Sequence, residues 1–290
     1  MKINKDTKFL IVGLGLIGGS YAQMLHDKGY FVGAVDINQN SIDYSLKKGF
    51  IDIGSNKADE IFISDFDIII FALYPEDFYN WIMNNQHMIK KNALITDVTG
   101  VKTGIIYKIQ KTLRDDLEFI GAHPMAGRES RGVENADKSV FIGANYIVTP
   151  TEKNTNEGIE CCKALGRILG FGNITELSPE SHDEMIGFLS QLTHCIAVSL
   201  MTCRDSEAFA SYTGDSFRDL TRIAKINSEM WSDLFLMNRD ILLKQMDMFE
   251  EQFGLLKHFI YNKDKESIKN MMDISTEKRL LFEKTGGKNK

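Results

Sequence analysis

A glycine-rich segment near the start of the chain has the spacing of a loop that binds phosphate groups. Four glycines lie within residues 13–19, after the apolar run 9–12 and before the helix-compatible residues 20–28. In such a loop the first glycine permits a tight turn, the second lets a pyrophosphate approach the backbone, and the third allows close helix packing. The phosphates then lie at the positive end of a helix. The candidate cofactor-binding residues are Gly13, Gly15, Leu16, Ile17 and Gly18.

An aspartate follows where a dinucleotide-binding fold places its acidic residue. The apolar run 31–35 ends at Asp36, about twenty positions beyond the glycines. A carboxylate there accepts hydrogen bonds from ribose hydroxyls and repels a 2′-phosphate, and the next residues, Ile37 and Asn38, supply no arginine to hold that phosphate. The pattern predicts NAD as the cofactor rather than NADP. A glycine turn without any ligand is the alternative.

Two further apolar runs end in polar or turn-forming segments, residues 72–75 and 97–102. Ligands of open α/β sheets bind beyond the carboxyl ends of the strands, so both segments are expected to line the nicotinamide side of a cleft. A simple turn at residues 74–75 and helix capping at residue 99 are the alternatives. The candidate residues here are Ala72, Leu73, Tyr74 and Thr99.

A histidine and an arginine have the chemistry that a substrate site needs. His123 follows an apolar run at the expected ligand-binding edge of the sheet, and imidazole exchanges protons near neutral pH. Arg222 can grip a carboxylate through two parallel hydrogen bonds, although it can also pair with Asp219 three positions earlier. Ser190 and His194 are four residues apart and share one face of a helix. A purely structural role is the alternative for each of these residues.

The elements that position these residues follow from the pattern of apolar residues. Up to about residue 150, short runs rich in β-branched residues alternate with helical patterns, and several runs are apolar throughout. This alternation predicts an α/β fold, a Rossmann-type doubly wound and mainly parallel sheet. The predicted strands are residues 9–12, 31–36, 67–73, 94–97, 119–122 and 146–149.

The later part of the chain has a different pattern. From about residue 157 the strand signal disappears, apolar residues recur at helical spacing, and no proline follows Pro179. The polar segment 154–156 is the candidate linker. We therefore expect a nucleotide-binding domain over residues 1–152 and an all-α domain over residues 153–290. Because helical sequence continues to the end, no appended regulatory domain is expected.

Composition excludes several classes of protein. The net charge of −6 over 290 residues argues against a nucleic-acid-binding protein, which needs a concentrated basic face. No run of 18 apolar residues and no signal-peptide core is present, so we expect a cytoplasmic protein without membrane association. The four cysteines have no CxxC spacing, and no metal site is expected. A small-molecule partner is the remaining expectation.

Together these motifs resemble the prephenate and arogenate dehydrogenases of tyrosine biosynthesis. The resemblance covers nearly the whole chain. It rests on residues 13–20, residues 97–102, the HPMAG sequence at 123–127, Ser190 with His194, and TRIA at 221–224 followed by Trp231. It implies an NAD-binding domain, a helical domain that forms a homodimer, and oxidative decarboxylation of prephenate to 4-hydroxyphenylpyruvate. Arogenate is the alternative substrate, and a hydroxyacid dehydrogenase or an NAD-sensing module is a more distant alternative.

The resemblance also implies roles for individual residues. His123 would accept the proton of the substrate ring hydroxyl as hydride leaves C4, and Arg222 would bind a substrate carboxylate. Many members have serine where this chain has Gly100, so a hydroxyl contact is expected from Thr99 instead. The other residues that would line the pocket are Gly127, Glu129, Ser190, His194 and Trp231.

Overall fold

A computed structural model of the chain describes residues 2–127, 130–205 and 207–283. The chain divides into two compact units, Met1–Arg239 and Asp240–Lys290. The first unit contains the sheet and all the candidate site residues that the structure describes. The second unit is helical.

The described residues of the first unit contain one eight-stranded sheet with the order β3-β2-β1-β4-β5-β6-β7-β8. Neighbouring strands are parallel except for β6 and β7, which are antiparallel. The predicted α/β, doubly wound and mainly parallel sheet is confirmed. The strands are β1 (Lys8–Val12), β2 (Phe31–Val35), β3 (Ile53–Ser55), β4 (Ile68–Phe71), β5 (Leu94–Asp97), β6 (Glu118–Met125), β7 (Asn145–Thr149) and β8 (Asn173–Glu176).

Helices connect these strands and continue beyond them. A π-helical segment, Gly187–Leu192, joins α7 to α8, and a 3-10 turn, Arg222–Ala224, separates α9 from α10. The helices that follow the last strand confirm the predicted helical pattern. The helices are α1 (Leu16–Asp27), α2 (Gln39–Lys48), α3 (Glu60–Ile63), α4 (Pro75–Asn85), α5 (Thr103–Thr112), α6 (Asn156–Ile168), α7 (Pro179–Ile186), α8 (Thr193–Thr202), α9 (Asp215–Thr221), α10 (Ser228–Met237), α11 (Arg239–Tyr261) and α12 (Lys265–Leu280).

The central strands are buried on both faces, which explains why their sequences are apolar throughout. In β4, Ile68 and Ile70 belong to one hydrophobic cluster, whereas Ile69 and Phe71 belong to the cluster on the opposite face. All four side chains have no solvent exposure. Successive side chains of a strand point to opposite faces, so only a sheet covered on both sides buries such a run.

The prediction that strands end before residue 157 was wrong. Strand β8 pairs in parallel with β7 after the crossover helix α6. Of its residues, Asn173, Thr175 and Glu176 are exposed, because β8 is the edge strand of the sheet. A short, polar edge strand carries no hydrophobic periodicity, so the pattern could not reveal it. The short edge strand β3 was missed for the same reason.

Strand β6 is longer than predicted, and this changes the position of the candidate histidine. The prediction ended the strand at residue 122, but pairing with β7 continues through His123, Pro124 and Met125. His123 therefore lies within a strand and does not follow it. Because Asp97 ends β5 and Thr96 is aligned with Ile120, His123 still lies beyond the carboxyl end of β5.

The predicted division at residue 152 stays a prediction. The candidate linker 154–156 is a capped helix start, where the Thr155 hydroxyl accepts a hydrogen bond of 3.0 Å from the Gly158 amide. Helix α6 then packs into the core through Cys161, Cys162 and Leu165. The sheet continues through β8, and the first compact unit extends to residue 239.

The helical segment Pro179–Thr202 is long and apolar enough to cross a membrane, judged by length and composition alone. A single helix of this kind is weak support for a membrane span, because a core helix of a globular protein has the same composition. The segment contains Ser190, Gln191 and His194, and the Gln191 side chain donates to the Leu234 carbonyl at 2.9 Å. The absence of membrane association stays a prediction.

Candidate functional site

The glycine loop joins β1 to α1 and has the geometry of a dinucleotide-binding turn. Gly13 has φ of +98°, and a Cβ atom there would lie 2.6 Å from the Ala72 carbonyl oxygen, so this position requires glycine. A Cβ atom at Gly15 would meet no atom within 4 Å. Helix α1 begins at Leu16, one residue later. The loop thus offers open backbone next to a helix N-terminus, where phosphate groups bind.

The Asp36 carboxylate is fixed beside this loop. One oxygen accepts a hydrogen bond of 2.6 Å from the Leu14 amide, and the other accepts one of 2.7 Å from the Asn38 amide. The neighbouring Ile37 side chain is 96% exposed. A fixed carboxylate and an open glycine loop fit the ribose and pyrophosphate of NAD. The sequence pattern assigned Ile37 no binding role of its own, although its exposed apolar side chain lies next to the predicted ribose-binding position.

Residues after β4 form the next part of this edge. Ala72 and Leu73 are partly buried, and Tyr74 precedes Pro75, the first residue of α4. The Tyr74 hydroxyl accepts a hydrogen bond of 3.2 Å from the Asn227 side chain, at the start of α10. The backbone at Tyr74 is thus a helix start, and its side chain connects this edge of the sheet to α10.

At the end of β5, a lysine and an aspartate form an ion pair that has no solvent exposure. Lys102 Nζ lies 2.8 Å from each carboxylate oxygen of Asp97 and donates to the Ala122 carbonyl at 2.5 Å. The Ala122 amide in turn donates to Asp97 at 3.0 Å. Burial lowers the pKa of Lys102 because it removes water from the ammonium, while Asp97 opposes this effect. The pair joins β5 to β6 immediately before His123.

Thr99 belongs to the same buried cluster. Its hydroxyl donates to the Asp97 carboxylate and lies 3.0 Å from the Val101 carbonyl oxygen. Helix α5 begins at Thr103, with Lys102 as its N-cap residue, so Thr99 does not cap it. Because the hydroxyl is directed into the protein, the contact with a substrate that was expected from Thr99 receives no support.

His123 contacts a second histidine that the sequence analysis missed. His123 Nδ1 lies 2.9 Å from Nε2 of the fully buried His182 in α7. A Cβ atom at Gly100 would lie 4.0 Å from His123 Cε1 and 3.7 Å from the Leu234 methyl groups. A serine at position 100 would therefore project beside His123, and glycine leaves that space free.

The network continues from His182 to the start of α5. His182 Nδ1 lies 2.8 Å from the Asp183 carboxylate, which also accepts hydrogen bonds of 2.8 Å from the backbone amides of Lys102 and Thr103. Burial raises the pKa of Asp183, but hydrogen bonds from His182 and Thr103 outweigh it, and the pKa is lowered overall. The sequence signal that could have identified these two residues is the adjacent His182–Asp183 pair in the first turns of the predicted helix.

Both histidines are held in the neutral form. Burial, followed by the proximity of His182 and Lys102, lowers the pKa of His123 well below its usual value of about 6.5. Burial also lowers the pKa of His182, although Asp183 opposes this shift. A neutral imidazole has an unprotonated ring nitrogen, so His123 can accept a proton at neutral pH.

The candidate residues of the helical part form a second group. The rings of His194 and Trp231 stack with their centroids 3.7 Å apart, and His194 Nδ1 donates to the Ser190 carbonyl at 2.8 Å. Leu234, one turn after Trp231 in α10, is the residue that faces Gly100. Helix α10 thus contacts the His194 group through Trp231 and lies next to Gly100, beside His123, through Leu234.

The remaining candidates are more exposed. Arg222 is exposed in the turn Arg222–Ala224, and Gly127 is exposed after β6. Glu129 lies outside the described residues. Within the described ranges, no group of three or more His, Cys, Asp or Glu side chains is arranged to hold a metal ion.

Comparison with known proteins assigns the family. Residues 21–170 match the nucleotide-binding domain of prephenate dehydrogenase, and residues 178–274 match its dimerization domain. The chain belongs to the prephenate dehydrogenase family. The family that the sequence motifs indicated is confirmed.

Individual members of the family match over nearly the whole chain. The prephenate dehydrogenase of Bacillus subtilis is 31% identical over 91% of this chain and 72% of its own length. The cyclohexadienyl dehydrogenase of Zymomonas mobilis is 27% identical over 94% of both chains. The solved structure of prephenate dehydrogenase from A. aeolicus, in complex with hydroxyphenyl propionate and NAD+, has a TM-score of 0.87 at 29% identity and covers 97% of this chain and 100% of its own.

The buried ion pair gives a prediction about stability. Replacing Lys102 by Met leaves the Asp97 carboxylate buried without its cation, which is expected to lower the free energy of unfolding by about 3–5 kcal/mol. Urea denaturation at a fixed protein concentration measures this change. The double variant K102M/D97N, which also removes the unpaired charge, is expected to recover part of the loss.

The control for this prediction is the exposed ion pair of Lys8 and Asp65. The variant K8M is expected to lose less than about 1 kcal/mol, because solvent-exposed pairs contribute little. A loss of similar size in K102M and K8M would show that the buried pair does not stabilise the fold in the way described.

Proposed function

We propose that this chain is an NAD-dependent prephenate dehydrogenase, which converts prephenate to 4-hydroxyphenylpyruvate in tyrosine biosynthesis. The observation that carries the proposal is the position of His123, a neutral imidazole at the carboxyl edge of the sheet. The glycine loop and Asp36, which follow β1 and β2, lie at the same carboxyl edge. Membership of the family supplies the reaction, and His123 is the group that the reaction requires as a proton acceptor.

His123 acts on the ring hydroxyl of the substrate. When bound, NAD accepts the hydride that leaves C4 of the ring. His123 takes the proton of the C4 hydroxyl, and the bond between C1 and its carboxylate breaks. Its electron pair enters the ring, which becomes aromatic as carbon dioxide leaves, and the ring oxygen takes its proton back from His123 to give the phenol of 4-hydroxyphenylpyruvate. The protein therefore has to align the ring, hold its two carboxylates and accept one proton.

The helical part of the first unit supplies the substrate contacts in this proposal. Arg222 binds a substrate carboxylate, because its guanidinium offers two parallel hydrogen bonds. The position of Leu234 in α10, 3.7 Å from where a Cβ atom at Gly100 would lie, supports a pocket shared by both groups, since Trp231 of the same helix stacks on His194. The other residues proposed to line the pocket are Gly127, Glu129, Ser190 and His194.

The fixed Asp36 carboxylate supports the preference for NAD. Its two oxygens already accept the backbone amides of Leu14 and Asn38, so the carboxylate cannot turn away from a bound nucleotide without breaking these bonds. A 2′-phosphate would meet this negative charge at close range. The proposed residues for NAD are therefore Asp36, Gly13, Gly15, Leu16, Ile17, Gly18, Ala72, Leu73 and Tyr74, with the backbone of Thr99.

Arogenate is the second candidate substrate. It differs from prephenate by an amino group in place of the side-chain keto group, far from the ring hydroxyl on which His123 acts. The match to the Zymomonas mobilis cyclohexadienyl dehydrogenase over 94% of both chains favours keeping this candidate. Because His123 serves either substrate equally, discrimination has to come from residues that contact the side chain.

The protein is further proposed to be a cytoplasmic homodimer. The match to a dimerization domain over residues 178–274 supports a dimer. Large apolar side chains on helices of this region are exposed in the single chain, including Phe188 at 52% and Phe253 at 62%. Exposed apolar surface of this kind is typical of an interface between subunits.

Steady-state kinetics test the proposed function directly. We expect NADH formation that depends on prephenate, with a higher kcat/KM for NAD than for NADP. Assays with arogenate under the same conditions measure the substrate preference. If neither prephenate nor arogenate supports NADH formation by the folded protein, the proposal is wrong.

A variant of His123 tests its role as the base. H123N is expected to lower kcat by about 10²–10⁴-fold, the usual contribution of a general base, with little change in NAD binding measured by calorimetry. Because the pKa of His123 is lowered, wild-type kcat/KM should hold down to pH 6.5 and fall only below it, as the imidazole becomes protonated. An acidic limb centred above pH 6.5, or unchanged turnover in H123N, would contradict this role.

A further inference from the structure

We propose that His182 is the positioning residue of His123, and that Asp183 fixes the tautomer of His182 so that His123 presents an unprotonated Nε2 to the substrate. The inference rests on the proposed function, because it assigns His123 to proton transfer. It is carried by the chain of contacts from Asp183 through His182 to His123.

The first step concerns the proton between Asp183 and His182. The Asp183 carboxylate already accepts the backbone amides of Lys102 and Thr103, each at 2.8 Å. These amides lie at the N-terminus of α5, whose dipole favours a negative charge. An ionised carboxylate accepts hydrogen bonds and donates none. The hydrogen atom in the 2.8 Å contact with His182 therefore belongs to His182 Nδ1.

The second step follows from the first. A neutral imidazole carries one hydrogen atom, so His182 with a protonated Nδ1 has a lone pair on Nε2. The 2.9 Å contact between His182 Nε2 and His123 Nδ1 then requires the hydrogen atom on His123 Nδ1. A neutral His123 in this tautomer has its lone pair on Nε2. That atom is therefore the one that accepts the substrate proton.

His182 fixes the tautomer of His123, because the side chains of the segment before α5 are not directed to it. In the described part of the chain, the Thr99 hydroxyl is directed to Asp97 and Val101, and Gly100 has no side chain to offer. His182 itself is fully buried, and the Asn238 side chain donates to the Asp183 carbonyl at 3.0 Å. The histidine pair is consequently held from the α5, α7 and α10 sides.

The network also provides a place for the positive charge that forms when His123 takes up a proton. When Nε2 takes the hydroxyl proton, the Nδ1 proton can move along its hydrogen bond to His182 Nε2, and no atom is gained or lost. The charged groups that face His182 are Asp183 and Asp97, which favour a positive charge, and Lys102, which opposes it. The carboxylate of Asp183 is the one in direct contact with the ring.

Two substitutions of His182 separate its two contacts. Asparagine places an amide nitrogen near the position of Nδ1, which keeps a donor for Asp183 but leaves no atom for His123. Glutamine places an amide oxygen near the position of Nε2, which can accept the His123 Nδ1 hydrogen. We expect H182N to lower kcat on the order of 10- to 100-fold with KM for NAD within about twofold, and H182Q to recover part of the loss.

The exposed His87 supplies the matched control, since H87N replaces a histidine in the turn Gln86–Met88 and is expected to keep wild-type kinetics. Equal kcat in H182N and the wild type, or equal losses in H182N and H182Q with intact folds by circular dichroism, would overturn the inference.

The tautomers can also be measured in the wild-type protein, without substrate and without relying on variants that fold. Nitrogen-15 NMR distinguishes protonated from unprotonated ring nitrogens. We expect both His123 and His182 to carry their hydrogen on Nδ1 at pH 7. A hydrogen on Nε2 of either ring would overturn the inference. Because this measurement needs no turnover, failure of the proposed prephenate reaction is distinguishable from failure of the positioning network.

Discussion

The Lys102 ammonium lies inside the protein with no exposure to solvent, and the geometry of the site depends on how it is held. Removing such a charge from water costs several kcal/mol unless hydrogen bonds and an opposite charge compensate for it. Asp97 from β5 and the carbonyl of Ala122 from β6 supply that compensation. The backbone amide of the same lysine binds Asp183 from α7. Three elements thus meet at Lys102: β5 and β6 compensate its charge, and α7 accepts the hydrogen bond of its backbone amide.

This constraint explains how a residue at the carboxyl end of the sheet becomes a well-oriented base. Ala122 is fixed by two hydrogen bonds with the ion pair, since its carbonyl accepts one from Lys102 and its amide donates one to Asp97, and His123 is the next residue in the strand. Asp183 is fixed by the backbone amides at the start of α5 and contacts His182 Nδ1, and His182 Nε2 in turn contacts the ring of His123. The backbone and the ring of His123 are therefore both tied to the same short segment, residues 97–103.

Local spacing was sufficient to predict that the glycine loop and Asp36 lie side by side. The glycine loop and Asp36 lie within one strand-helix-strand unit, and chain connectivity alone brings them together, as the 2.6 Å bond between Leu14 and Asp36 shows. His123 was recognised from its motif, although the strand around it was predicted too short. Pro124 suggests the end of a strand, since proline lacks the amide hydrogen, but the antiparallel partner β7 tolerates it.

The contacts that position His123 could not be predicted in the same way. His182 lies 59 residues from His123, and Asp183 lies 81 residues from Lys102. No periodic pattern links such positions, because the contact arises only when α7 packs against the end of the sheet. Likewise, nothing in the sequence marks Lys102 as buried, since lysine is almost always exposed unless it is paired. Long-range polar contacts of this kind become visible only in the folded chain.

A crystal structure of the enzyme with NAD and hydroxyphenyl propionate would test the central claim most directly. The account predicts that His123 Nε2 lies about 2.6–3.2 Å from the phenolic oxygen of the ligand, the range for proton transfer, while Nδ1 remains on His182. It would be contradicted by a ring turned so that Nδ1 meets the ligand. Contact of the phenolic oxygen with another side chain in place of His123 would contradict it equally.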